Sequence, residues 1–240
     1  MLERFEQHPK SDLIIFLVFS FLAFWMHHLS QSAILIYSLK PVEVFLHEAS
    51  HGLATLLTGN QIESLHLDWR GGHVVSRFLG DSRLERIIVA FSGYAGASFW
   101  GLLIYATSVY SSKMIRVLLL MLSACSFFLV DGLMTGLILG FVIVLFAFGW
   151  YFDRAGNYFL RFLGLFVMLN SIYSPTYLFS YHQTGDHVSL SQLSFLPSFV
   201  FILIWVAIGL YTLWLAYRLT LSKSKTESAS ARALKVPTFK

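Results

Sequence analysis

Apolar runs of near-membrane length alternate with short polar breaks along this chain, and the breaks define its elements. Leu13 to Met26 is the first run. It ends at His27-His28, adjacent positions that do not share a helix face and so mark an interfacial helix end rather than a metal site. Ala33 to Thr58 is the second run, interrupted by Lys40-Pro41, where a missing backbone donor kinks or restarts the helix. Gly59-Asn60 supplies its stop signal. Ile87 to Tyr110 is the third, and in it Gly93, Ala97 and Gly101 recur every four residues. That spacing gives a small-residue face on which the second run's helix can approach closely. Met114 to Trp150 is apolar except for Asp131-Gly132 and reads as two short helices or one broken one. Tyr158 to Tyr177, ended or kinked by Pro175, and Pro197 to Tyr217, with Trp205 and Trp214 as interfacial anchors, complete the set.

Two intervening stretches differ in kind. From Gln61 to Glu85, apolar residues lie among polar ones around the turn chemistry of Asp68 to Gly72, which predicts a short β-hairpin or a re-entrant loop. An exposed strand edge there could pair with an extended peptide. Leu178 to Leu196 is polar and holds Thr184-Gly185-Asp186-His187. The fold expected is an all-α integral membrane protein, a polytopic bundle of about six or seven transmembrane helices with that hairpin or loop after the second hydrophobic segment. Residues 1–12 read as a cytoplasmic lead-in, 13–217 as a single transmembrane domain and 218–240 as a basic, disordered tail.

Composition narrows the class. The chain is 56% hydrophobic and 12% charged, with 23 Phe among 240 residues, so no separate soluble domain fits beside the spans. The net charge of +4 gathers in the ends and short loops, where it speaks for topology and lipid headgroups and against nucleic-acid binding. Arg70, Arg77, Arg83 and Arg86 make the hairpin loop basic and put it in the cytoplasm, as Lys223, Lys225, Arg232, Lys235 and Lys240 do for the tail. The single Cys125 can form no intrachain disulfide.

Chemistry concentrates in His47-Glu48-Ala49-Ser50-His51. On a helix His47 and His51 share a face and can aim two imidazoles at one metal ion, with Glu48 beside it as a general base. Zinc suits neutral imidazole nitrogen, and a catalytic zinc keeps one position open for water. Three ionisable groups in an apolar segment cost about 2.5–3.5 kcal/mol each on insertion scales, so they demand compensation. Hydrolysis in a bilayer also needs a water path, for which Ser50, Thr55, Ser92 and Ser98 are candidates, although such residues usually bond to their own helix backbone.

With Leu57-Thr58-Gly59 closing its helix, this motif resembles the intramembrane zinc metalloproteases of the site-2 protease clan, in particular the small bacterial branch without a PDZ domain. Gly71-Gly72, Ser92-Gly93-Tyr94-Ala95-Gly96, Arg161-Phe162-Leu163-Gly164 and Thr184-Gly185-Asp186 add weaker similarities in the same order, over about residues 33 to 217. The resemblance implies one zinc per chain held by His47, His51 and a distant aspartate, with Glu48 as base. It also implies a membrane protein or peptide as substrate and the bacterial inner membrane as location. Better-known members carry Leu-Asp-Gly or Asn-Pro-Asp-Gly, whereas this chain has Val130-Asp131-Gly132 and Gly185-Asp186-His187. The smaller branch has its aspartate where Asp186 stands, which favours Asp186 over Asp131. Gly71 and Gly72 are the candidate substrate contacts.

Two other classes stay open on sequence. A structural or regulatory zinc site would need both histidines but not Glu48. An ion-coupled or proton-coupled transporter would use the buried histidines and aspartate, but the chain has no internal repeat of the kind transporter halves show. Six crossings place both basic ends in the cytoplasm. A re-entrant Leu178 to Leu196 segment would let Asp186 reach the metal.

Overall fold

The computed structural model describes residues 11–28, 33–69, 71–110, 112–151, 153–180 and 184–234. Most of the lead-in, Arg70 and Tyr181-His182-Gln183 fall outside them. Eight helices and one hairpin account for nearly all of the described chain. They are α1 (Ser11–His28), α2 (Ala33–Leu57), β1 (Gln61–Leu67), β2 (Gly72–Arg77), α3 (Arg83–Tyr110), α4 (Ser112–Ser126), α5 (Leu133–Tyr151), α6 (Asp153–Tyr177), α7 (Asp186–Ser194) and α8 (Ser198–Leu234). Three helical segments are long and apolar enough to cross a membrane: Arg83–Val109, Ala155–Thr176 and Ser198–Ser224. Asp12–His27 and Leu133–Phe148 are shorter apolar helices.

The local signals act much as their chemistry dictates. α2 continues through Pro41 and closes at Gly59, whose φ of +80° is glycine territory. There the Asn60 N–H donates to Thr55 O and the Gly59 N–H to Leu56 O, satisfying the last carbonyls. Val130-Asp131-Gly132 separates α4 from α5, with Gly132 at φ +85°. α6 runs two residues past Pro175 before giving way to a turn.

β1 and β2 pair antiparallel from Gln61↔Arg77 to Leu67↔Gly72, with an irregularity between Ile62 and Ser64. The outer side of β1 is covered by the break between α4 and α5. Leu65 bridges Val130 in parallel sense, the Asp131 N–H donates to Leu65 O at 2.9 Å, and the Leu67 N–H donates to the Thr135 hydroxyl at 3.0 Å. Among the described residues, β2 has no strand on its other side.

α3, α6 and α8 pass between two distinct ends of the bundle. At one end the Trp205 indole N–H of α8 donates to Phe91 O of α3, and Lys40 of α2 donates to Ser174 of α6. At the other end Tyr105 of α3 bonds Thr220 of α8 at 2.6 Å, and Asp12 of α1 holds Arg161 of α6 at 2.6 Å and Lys223 of α8 at 2.9 Å. The sixteen residues from Val89 to Tyr105 correspond to about 24 Å of helix, most of a hydrocarbon core. Between the ends, a Cβ on Gly101 would lie 2.9 Å from Gly164 O, and one on Gly164 would lie 2.7 Å from Gly101 O. α3 and α6 therefore cross backbone to backbone.

Three expectations change. The small-residue face of α3 does not serve α2 alone: Gly93 meets α2, whereas Gly101 meets α6. The chain from Arg218 is helical to Leu234 rather than disordered, because Ala, Leu, Lys and Arg sustain a helix already nucleated through the preceding span. The hairpin lies at one end of the bundle and Lys223 at the other, so the basic loop and the basic tail do not share a face.

Candidate metal centre and its cleft

α2 presents His47 and His51 one turn apart, and the first residue of α7 brings Asp186 between them. The two Nε2 atoms are 3.1 Å apart, and Asp186 Oδ2 lies 3.2 Å from that of His47 and 3.3 Å from that of His51. These three residues are a group that could hold a metal ion, their ligand atoms all within 4.8 Å of one another. Two imidazole nitrogens and one carboxylate oxygen form the donor set of a catalytic zinc site.

Neighbouring groups fix the orientation of the set. His51 Nδ1 donates to Val89 O at 2.7 Å, which leaves the Nε2 lone pair directed at the cluster. The His47 ring meets Tyr94 edge to face at 4.5 Å, and Tyr94 in turn rests against Trp205. Gly185 adopts φ +117°, a conformation that side chains oppose, and so turns the chain into α7 with Asp186 at its start. Burial disfavours the Asp186 carboxylate, but His51 and His47 outweigh it and hold the group well below the usual carboxylate range. It is ionised at neutral pH.

α3 reaches the cluster because it has no side chain at the contact. A Cβ on Gly93 would collide with His51 Nε2 and with the His47 ring, and one on Gly96 would collide with Ser50. Gly72 plays a similar part from the hairpin: its Cβ position is 3.0 Å from Glu48 Cγ. Glu48 is buried there.

A cavity of about 950 Å³ joins these groups. His47, Glu48, His51 and Asp186 line it together with Gly71, Gly72 and the following β2 residues to Ser76, so the unpaired edge of β2 lies along the cleft. Lys40 and Glu43 also line it; they pair at 2.7 Å, with Glu43 only 3% exposed. That pair was not singled out in the sequence, although positions 40, 43 and 47 share a face of α2 and point to it.

Asp131 is elsewhere. It is exposed between α4 and α5 and engages its surroundings through its backbone, accepting from Thr135 and donating to Leu65. Ser50, Thr55, Ser92 and Ser98 do not line the cavity: Ser50 donates to Leu46 O, Thr55 to His51 O, Ser92 to Val89 O and Ser98 to Tyr94 O. The polar lining comes instead from Lys40, Glu43, Ser174, Thr184, Ser189 and Gln192. His66 and His73 stack on each other across the hairpin at 5.0 Å, and His27 stacks on Phe166.

The Peptidase M50B-like family model matches residues 14–216 of the chain. No curated protein and no solved structure shows significant similarity to it.

Proposed function

The chain belongs to the Peptidase M50B-like family, and on that premise we propose that it is an intramembrane zinc endopeptidase that hydrolyses a peptide bond in or near a transmembrane segment of a membrane-protein substrate. The observation carrying this reading is the convergence of His47, His51 and Asp186, from two segments far apart in sequence, on one point of a cavity that Glu48 also lines.

In this reading the three side chains hold one zinc ion per chain. When bound, zinc supplies Lewis acidity that makes water easier to deprotonate and a carbonyl easier to attack. Glu48 takes the proton of the attacking water and delivers it to the departing amine nitrogen. Val89 O keeps His51 in the tautomer whose Nε2 can act as a ligand. The β2 edge, beginning at Gly71 and Gly72, holds the substrate extended by backbone hydrogen bonds, since a helical peptide would hide the scissile carbonyl. The bundle makes six or seven crossings of a bacterial inner membrane, with α7 re-entrant.

The test compares membrane proteomes from cells expressing the wild type or Glu48→Gln, after zinc content has been matched. New protein termini within or beside transmembrane segments, present only with the wild type, support the reading. Their absence from zinc-loaded wild type would leave a structural metal site and sink the protease.

A further inference from the structure

The cavity opens at the hairpin end of the bundle, and the basic residues gather at the opposite end. Two of them, Lys113 and Arg116, stand at the head of α4, and Arg116 donates to Asn157 of α6 at 2.9 Å. Arg154 and Arg161 stand at the head of α6, and Arg161 is tied to Asp12. Four more follow on α8 from Arg218, among them Lys223, which joins the same aspartate. Against these eight, the described residues of the hairpin end offer Lys40, Arg77, Arg83 and Arg86. Of these, Lys40 is committed to Glu43 inside the cleft. Cytoplasmic flanks of membrane helices carry the excess of Lys and Arg, and acidic residues contribute little to that bias.

We infer that the cleft of His47, His51 and Asp186 opens toward the non-cytoplasmic face of the membrane. The end that joins Asp12, Arg161 and Lys223 lies on the cytoplasmic side. This rests on the proposed protease function only for its consequence. Substrates would be membrane proteins whose scissile segment lies in the outer half of the bilayer or just beyond it, and the water consumed would enter from outside. The relation between the two ends is fixed by α3, α6 and α8, each of which touches the hairpin end with one half and the Asp12 end with the other. The Lys and Arg distribution then decides which end faces the cytoplasm.

The test is cysteine accessibility in the full chain, expressed in cells with Cys125→Ser removing its single cysteine. Gly80→Cys and Asp81→Cys each report the hairpin end, where both positions are exposed and neither lines the cavity. Thr226→Cys and Lys240→Cys each report the far end of the chain. A membrane-impermeant maleimide is applied to intact spheroplasts and, separately, after lysis, and each variant is first checked for unchanged zinc content. Labelling of positions 80 and 81 in intact spheroplasts, with 226 and 240 labelled only after lysis, is the expected result. The reverse pattern would overturn the orientation, and labelling of both ends from one face would overturn the arrangement itself. Neither outcome depends on catalysis, so a loss of the protease reading would appear separately, in the proteome comparison.

Discussion

Gly93 stands where a single added carbon would strike the Nε2 atom of His51. The metal-binding face of α2 is thus pressed against bare backbone of α3, and Val89, one turn earlier on the same helix, fixes the His51 tautomer. Gly93→Ala should push the imidazoles off their alignment without unfolding α3, since alanine is the better helix former. The expected loss of zinc affinity is roughly 10–100-fold, as for other groups that orient ligands. Competition against a chromophoric chelator measures it. Unchanged affinity would mean that α3 does not set the positions of the histidines.

Asp186→Ala removes the oxygen donor of the cluster, whereas Asp131→Ala removes a side chain that makes no contact with it. Elemental analysis of detergent-purified protein should find about one zinc in the wild type and in Asp131→Ala, and little in Asp186→Ala. Zinc loss in Asp131→Ala alone would reassign the third ligand.

Glu48→Gln keeps the size of the side chain and removes its basicity. Zinc content should stay at the wild-type level while hydrolysis falls by about 10²–10⁴-fold, the usual worth of a general base. Equal turnover in the two proteins would remove Glu48 from the chemistry.

Gly164→Ala tests the scaffold. The new methyl would face Gly101 O at 2.7 Å and Tyr105 N at 2.8 Å, both backbone atoms that cannot yield unless α3 and α6 part. A loss of about 1–3 kcal/mol is expected, the scale of overpacking, and a lower thermal midpoint in detergent would report it. Gly140→Ala on α5, where nothing lies within 4 Å of the added carbon, is the control and should be neutral or slightly stabilising.

Elements with local causes were legible in the sequence. The hairpin followed from the turn chemistry of Asp68 to Gly72, the end of α2 from Gly59, and the separation of α4 from α5 from Asp131-Gly132. His47 and His51 could be read as one face because helix geometry alone relates them. Asp186 could not be brought to that face by any local rule; the resemblance favoured it, and its approach depends on how α6 and α8 hold α7. The water-path serines misled because a hydroxyl on a helix finds a carbonyl four residues back before it finds a cavity. Charge misled in another way: counted loop by loop, both the hairpin and the tail look cytoplasmic, and only the packing of α3, α6 and α8 makes the two assignments exclusive.

The ligand set also has a thermodynamic side. His47 and His51 lie in the first quarter of the chain and Asp186 in the last, so an ion gripping all three cross-links the chain as a staple would, closing a loop that contains most of the bundle. Affinity for the ion and the docking of α7 are then one coupled equilibrium, in which each strengthens the other. Chelation should therefore do more than silence chemistry. It should loosen α7 from α2 and α3, and the chain between Leu178 and Asp186 should become the first place where an added protease can cut.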